Sequence, residues 1–321
     1  MDIENLDVKE PINIVFMGTP EFSVPVLEGL IGNYKVRGIV TQPDKKVGRN
    51  QELRKTPVKL VGEKHTILVI QPKKIREEYM DVLALKPDLI ITCAYGQILP
   101  RELLVYPKYG CINVHASLLP KLRGGAPIHR AIMNGLDRTG VTIMYMSEGM
   151  DEGDIISQRE IEITNTDTTS TLHDKLSVLG RDLLLDTLPS ILDGTASRTP
   201  QDASLATYGF NIQPEDEKID FKKTTRQIYN QVRGLNDFPG AYCIFEGKRL
   251  KVWECMESEN AFPQLLDGTI TNVYDNGFGV KVGNGEVIFT IVQPEGKSKM
   301  DAKSYANGMI SHGNFVGKVL G

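Results

Sequence analysis

No two of the chain's four cysteines are spaced as a C-x-x-C pair; Cys93, Cys111, Cys243 and Cys255 are scattered along 321 residues. That scatter argues against a zinc ribbon or a dithiol redox centre. It suits reduced core thiols, as expected of a cytoplasmic protein that needs no metal. Positive charge is not in excess. Thirty-seven Lys and Arg stand against 41 Asp and Glu, a net charge of −4, so any contact with nucleic acid must come from a local patch and not from a basic coat. No apolar run approaches the roughly 20 residues that a membrane span needs. The opening stretch MDIENLDVKEP is acidic and has no apolar segment, so it reads as a loose tail and not as a signal or transit peptide. Also missing is G-x-G-x-x-G: MGTPEFS (17–23) begins like a dinucleotide loop but lacks the glycine spacing, which argues against an NAD enzyme. There is no internal repeat and no low-complexity tract.

What is present alternates. INIVFMG (12–18), YKVRGIVTQ (34–42), ILVIQP (67–72) and DLIITCAYG (88–96) are β-rich, and the first and last are nearly unbroken apolar runs. Between them lie helical patterns: 19–31, with Thr19 or Ser23 as its cap, then 56–65, and 75–87 stopped by Pro87. Strand and helix in turn, with fully apolar strands, predict a Rossmann-like, mostly parallel α/β sheet with helices on both faces. Ligands of such sheets sit at the carboxyl ends of the strands. A long helix is expected over 171–192. The Ser/Thr/Pro/Gly-rich run 193–209 follows, and a linker is placed at 206–213. Residues 221–235 read as one helix. After it come short strands punctuated by Asn276-Gly277 and Asn284-Gly285, which are hairpin signals. Residues 1–205 are thus expected to form a catalytic domain, and 214–321 an OB-like antiparallel β-barrel of the kind that binds oligonucleotides.

Residues 113–120, NVHASLLP, carry the chemistry. CINVH (111–115) is β-rich, and period two puts Asn113 and His115 on one face with Ile112 and Val114 on the other. SLLP then turns the chain, and Gly124 and Gly125 allow a close backbone approach. An acidic turn, Met150-Asp151-Glu152-Gly153-Asp154, follows some way on. An amide, an imidazole and a carboxylate suit acyl transfer to an amine. Asn113 would stabilise an oxyanion, His115 would shuttle the proton, and Asp151 would fix the imidazole tautomer and favour its protonated form. No Ser or Cys nucleophile is needed when the amine attacks directly. The same residues are also consistent with an Asn and a His that satisfy each other in a core and an Asp that merely turns the chain.

NVHASLLP, RGGAP and MDEGDI resemble the folate-dependent formyltransferases, which move a formyl group from 10-formyltetrahydrofolate to an amine. The likeness extends along the chain through MGTPEFSVPVL, TQPDKKVGR, AYGQILP, GVTIMYM, RGLNDFPGA and LKVW. It implies that Asn113, His115 and Asp151 are the catalytic trio. It implies that Ser117, Leu118, Leu119 and Pro120 belong to the folate signature, with Ala94, Tyr95, Gly96, Gln97 and Ile98 and the turn 150–154 as walls of the pterin pocket. The formyl acceptor it implies is initiator methionyl-tRNA, and an aminosugar nucleotide or another small amine is the alternative. A monomer is expected. The loop 42–56 resembles an insertion that enters the tRNA acceptor arm, with Arg49 at its arginine position and Lys45 and Lys46 beside it; Asn50-Gln51-Glu52 stands where the family has a more basic run. Lys55, Lys59 and Arg54 add to that loop's charge. On the barrel, Lys222, Lys223, Arg226, Arg233, Lys248, Arg249 and Lys251 are candidates for a tRNA face. His129 and His173 read as structural, His65 and His312 as loop residues without partners, and Trp253 as barrel core.

Overall fold

In the computed structural model, residues 12–47, 51–311 and 313–321 are described. The elements in chain order are β1 (Ile14–Gly18), α1 (Val24–Asn33), β2 (Val36–Val40), β3 (Lys45–Val47), β4 (Glu52–Arg54), α2 (Pro57–Lys64), β5 (Val69–Ile70), α3 (Ile75–Glu78), α4 (Met80–Leu83), β6 (Leu89–Cys93), α5 (Arg101–Val105) and β7 (Cys111–His115). They continue with α6 (Pro127–Met133), β8 (Arg138–Tyr145), β9 (Ile155–Glu162), α7 (Thr169–Asp193), α8 (Pro214–Glu217), α9 (Thr225–Gly234), β10 (Ala241–Phe245), β11 (Lys248–Ser258), β12 (Ile270–Tyr274), β13 (Gly277–Val282), β14 (Gly285–Pro294), β15 (Met300–Asp301) and α10 (Ala302–Ile310).

The chain folds into two compact units. The first takes the described residues up to Gly125, with Gly140–Glu160 and Asp174–Tyr208; the second takes Ala126–Thr139, Ile161–His173 and Gly209–Gly321. The first holds a mostly parallel sheet in the order β5-β2-β1-β6-β7-β8-β9. The strands β5, β2, β1, β6 and β7 run parallel, and β8 is antiparallel to β7. Every residue of β1 and β6 is buried, which is why those runs read as continuous apolar sequence and not as alternation. The expected α/β sheet is therefore present.

Several elements differ from the sequence reading. Neither Thr19 nor Ser23 caps α1 with its side chain. The Thr19 hydroxyl donates to the Tyr95 carbonyl (3.1 Å) and the Ser23 hydroxyl to the Cys93 carbonyl (2.5 Å), so both serve the carboxyl end of β6. The 75–87 pattern is two short helices, α3 and α4, either side of Tyr79. Helix α9 starts only at Thr225, because Thr224 and Gln227 form a capping box there. The polar run 193–209 is not a free connection. Thr199 exchanges backbone bonds with Ile155, Ser197 donates to the Ile156 carbonyl, and Thr207 meets the turn after β7 through Leu122 and Arg123.

The second unit carries the antiparallel sheet β10-β11-β14-β13-β12, with β15 paired to β14. Its two edges meet through the chain's last residues: Gly317 and Lys318 bond Ile270, Leu320 bonds Gly268, and Gly321 bonds Ile244 of β10. The sheet is thereby closed in the manner of a barrel. Phe245, Phe278, Phe289, Phe315 and Tyr305 pack edge to face inside it. No helix among the described residues is long and apolar enough to cross a membrane.

Candidate active site

The site is built at the carboxyl end of β7. In the β6/β7 register Thr92 lies beside Asn113. The buried Thr92 hydroxyl donates to Asn113 Oδ1 at 2.8 Å, which leaves the Asn113 amide N–H groups with no partner among the described residues. Asn113 is half-buried and lines a cavity of about 150 Å³, whose other walls are Gln97–Leu99, Met144 and the run Met146–Asp151. An amide anchored by its oxygen keeps both N–H donors available to a ligand of that cavity.

His115, two residues on, is buried. Its Nε2 lies 3.1 Å from the Leu122 carbonyl oxygen, an acceptor, so Nε2 carries the proton. The other nitrogen, Nδ1, faces Asp151 Oδ2 at 3.7 Å. That spacing is an electrostatic contact and not a hydrogen bond. The tautomer is thus set by the Leu122 carbonyl, where the sequence reading gave that task to Asp151. Asp151 Oδ2 accepts instead from the Gly124 backbone N–H at 2.8 Å.

Unusual backbone surrounds these groups. Leu122 (φ +58°), Asp151 (φ +50°) and Ala94 (φ +48°) all occupy the left-handed region that non-glycine residues avoid. Such residues persist where neighbours over-determine them, and they cluster at functional sites. Leu122 N–H donates to Thr207 Oγ1 (2.9 Å) and the Asp151 carbonyl accepts from Gln201 Nε2 (2.8 Å), and the turn between His115 and Leu122 is braced as well. The Thr142 hydroxyl donates to the Ser117 carbonyl (2.6 Å) and accepts from Leu119 N–H (3.1 Å), and Gln158 Nε2 reaches both the Leu119 carbonyl and Thr142. Ser117 Oγ closes its own turn on the Lys121 carbonyl at 2.6 Å. The Leu119–Pro120 peptide is cis. Gly153 is required by space: a Cβ there would sit 1.9 Å from the Tyr145 carbonyl oxygen. This gives the MDEGD run a steric reason.

Of the residues assigned to a folate pocket, Gln97 and Ile98 line the cavity. Ala94, Tyr95 and Gly96 form the turn behind it, where the Tyr95 carbonyl accepts from Thr19 and from Gln42 Nε2. Ser117, Leu118, Leu119 and Pro120 are not part of this wall; they make the adjoining turn that holds His115's partner Leu122. Thr92, Leu122, Thr142, Gln158 and Gln201 escaped the sequence reading. Thr92 alone left a signal, as the one polar residue in an apolar strand. The Ser147 hydroxyl on the cavity wall is buried without a partner among the described residues, a polar atom such as a bound heterocycle would satisfy.

The basic loop is a hairpin, β3 against β4, with Lys45 opposite Arg54. Lys45 and Lys46 are exposed and make no ion pair among the described residues; Arg49 lies outside the described residues. Lys55 pairs with Glu63 (2.8 Å), and Lys59 pairs with Asp44 (2.6 Å) and bonds Gln71, so those two charges are spent internally. The Lys59 ammonium holds the Asp44 carboxyl below its usual range. His65, read as unpartnered, meets Glu28 at 2.8 Å, while His312 lies outside the described residues. In the second unit Arg233 is buried and donates to the Thr164 and Asp167 carbonyls and to Asn230, so it is a packing residue and not part of a nucleic-acid face. Arg226 pairs with Glu257, and Lys251 donates to the Pro239 carbonyl. Arg249 stacks 3.9 Å over Tyr242. His129 bonds the Phe238 carbonyl at 3.1 Å, and burial lowers its pKa, in keeping with a structural role. Among the described residues no group of three or more His, Cys, Asp or Glu is placed to hold a metal ion.

Residues 12–188 match the family model for formyl transferase, and residues 211–309 match that for the formyl transferase C-terminal domain. The chain belongs to the formyltransferase family. This formyltransferase is 53% identical over 305 residues to a methionyl-tRNA formyltransferase of Geobacillus sp. strain WCH70, covering 94% of this chain and 96% of the relative. It is 51% identical over 310 residues to one of Bacillus velezensis, covering 95% and 98%. Among solved structures, the N-formyltransferase of Helicobacter canadensis in complex with folinic acid and dTDP-3-aminofucose matches with a TM-score of 0.66 at 22% identity, over 87% of this chain and 99% of that one. At that identity the likeness speaks for the fold alone.

Proposed function

We propose that this formyltransferase moves the formyl group of 10-formyltetrahydrofolate to the α-amino group of initiator methionyl-tRNA. One observation carries the chemistry: the Asn113 amide, anchored through Oδ1 by Thr92 and with its N–H groups unpartnered among the described residues, lines the same cavity as Asp151. Asn113 donates to the formyl oxygen as it gains charge under attack by the amine. His115 carries the proton from the attacking amine toward the departing folate nitrogen, with Nδ1 as its free base because Nε2 is committed to Leu122. Asp151 faces that nitrogen and supplies the negative charge that stabilises it when protonated. The apolar walls Ile98, Leu99, Met144 and Met150 suit a flat heterocycle, and Ser147 offers it one buried polar contact. Lys45 and Lys46 on the β3–β4 hairpin are the proposed contacts to tRNA phosphates, together with Arg49, which lies outside the described residues. Residues 1–205, with a linker at 206–213, are proposed as the catalytic part, and 214–321 as a second tRNA-binding surface. The protein is proposed to act as a monomer in the cytoplasm.

An aminosugar nucleotide is the competing acceptor, since a solved relative of the same fold is complexed with dTDP-3-aminofucose. Identity above 50% along nearly the whole chain to relatives named for methionyl-tRNA favours tRNA. The test is a formylation assay offering charged initiator tRNA, charged elongator tRNA and a nucleotide-linked aminosugar to the same enzyme. Turnover of the initiator tRNA should exceed the others. Preference for the aminosugar would overturn the reading.

A further inference from the structure

The turn after β7 and the turn 150–154 are tied together by one side chain that belongs to neither. Gln201 Nε2 donates to the carbonyls of Asp151 and Gly153, both at 2.8 Å. Its Oε1 accepts from Arg123 Nε (3.1 Å) and Nη2 (2.8 Å). An amide has two donor hydrogens and one oxygen with two lone pairs, so every position of Gln201 is filled. Arg123 is itself buried and lies between Leu122 and Gly124. Those neighbours set the site: the Leu122 carbonyl holds His115 Nε2, and the Gly124 N–H holds Asp151 Oδ2. Gln201 therefore grips both loops that determine the spacing of His115 and Asp151. Each loop also carries a non-glycine residue at positive φ, Leu122 on one and Asp151 on the other. Such backbone relaxes when its restraints are removed.

We infer that Gln201 is a positioning residue for formyl transfer, acting through the backbone of Asp151 and not by touching substrate. The inference rests on the proposed role of the His115–Asp151 pair. Gln201 is absent from the cavity wall and touches it only through the Asp151 backbone, so its loss should act on the spacing of the reacting groups far more than on substrate binding. Displacements near 1 Å at a reacting centre cost on the order of 10²-fold in rate.

Two variants separate the possible roles. Gln201→Met keeps the length and volume but removes all four hydrogen bonds. Gln201→Glu keeps, and strengthens, the acceptor for Arg123, but it turns the donor side into a second acceptor against two carbonyls. Steady-state kinetics should show kcat reduced about 10- to 100-fold in both variants, with KM for formyl donor and for charged tRNA within about twofold of wild type. A side chain that only stabilised the fold would lower the melting temperature and the active fraction in both variants and leave the kcat of the folded protein unchanged. Wild-type kcat in either folded variant overturns the inference, and so does a loss confined to KM. Asp151→Asn is the control for the underlying reading. If Asp151→Asn is as active as wild type, the pair is not catalytic and that reading falls first. If it is impaired while Gln201→Met is not, the positioning role alone is lost.

Discussion

Asn113 is set apart by a hydrogen bond it does not make. Thr92 occupies its oxygen, and its N–H groups have no partner among the described residues although the residue lines the cavity. Asn113→Ala and His115→Ala should each keep the fold and lose most turnover, roughly 10²–10³-fold for one missing oxyanion donor. Initial rates with saturating folate check this; either variant at near wild-type rate with unchanged folate binding would exclude the residue from the chemistry. The cysteines stand at the other extreme. Burial pushes the thiols of Cys93, Cys111 and Cys243 up to about 12 and that of Cys255 up as well, so thiolate is scarce at neutral pH. Native protein at pH 8 should react with no thiol reagent on the scale of minutes, and denatured protein should react at all four sites; fast labelling of a native cysteine would contradict the burial. The sequence marked Asn113, His115 and Asp151 as candidates because they are unusual residue types at a strand end and in an acidic turn. It concealed Leu122 and Gln201, because one acts through a backbone carbonyl and the other is an ordinary glutamine in a polar run.

Individual elements lean on short-range pairs that sequence spacing does not reveal. Helices α6 and α8 are joined by Arg130 and Asp216, whose paired contacts measure 3.0 and 2.6 Å, and Asp216 also completes the capping box with Gln213. The Arg130 guanidinium, ahead of the opposing effect of burial, holds the Asp216 carboxyl below its ordinary value. A depressed carboxylate contributes stability that is complete above the unfolded value, near 4, and is lost as pH falls through the folded value. Asp216→Asn should therefore cost about 1 kcal/mol at pH 7, a figure discounted for partial exposure, and the deficit should shrink as pH falls below the ordinary carboxylate value. Urea unfolding at pH 7, 4 and 2.5 measures it; a deficit independent of pH would mean that the charge on Asp216 contributes nothing. The β3–β4 hairpin behaves differently, since Lys45 and Lys46 stand exposed. The pair of substitutions Lys45→Glu and Lys46→Glu should lower kcat/KM for charged tRNA, flatten its salt dependence by up to about two in slope, and leave folate affinity within about twofold. Parallel salt slopes for variant and wild type would remove the hairpin from the tRNA interface.

At the scale of the molecule, the sequence displayed a parallel α/β sheet followed by a small antiparallel one, because each leaves its own periodicity. It could not display that 126–139 and 161–173 pack with the second unit, since membership of a unit is decided by tertiary contacts and not by local pattern. Nor could it display how the second sheet closes. Strands β10 and β12 are its edges, and open edges are exposed to wrong pairing. The last residues cover both. Gly317 donates to the Ile270 carbonyl and Ile270 to that of Lys318, each at 2.8 Å; Leu320 donates to Gly268 at 2.9 Å; Gly321 and Ile244 exchange bonds at 2.9 and 2.6 Å. The Leu320 side chain is buried in the same core as Phe221 and Ile270. Removing 317–321 strips those bonds from both edges and empties the Leu320 site. A buried Leu→Ala change alone costs about 2–5 kcal/mol, so Leu320→Ala should destabilise by that amount and deletion of 317–321 by more. The chain's single tryptophan, Trp253, sits buried on β11 with its indole N–H on Gln293, so its fluorescence reports the unfolding of this unit. In urea, the tryptophan midpoint should fall for Leu320→Ala and further for the deletion. A deletion variant that keeps the wild-type midpoint would mean that the sheet holds its shape without closure by the tail.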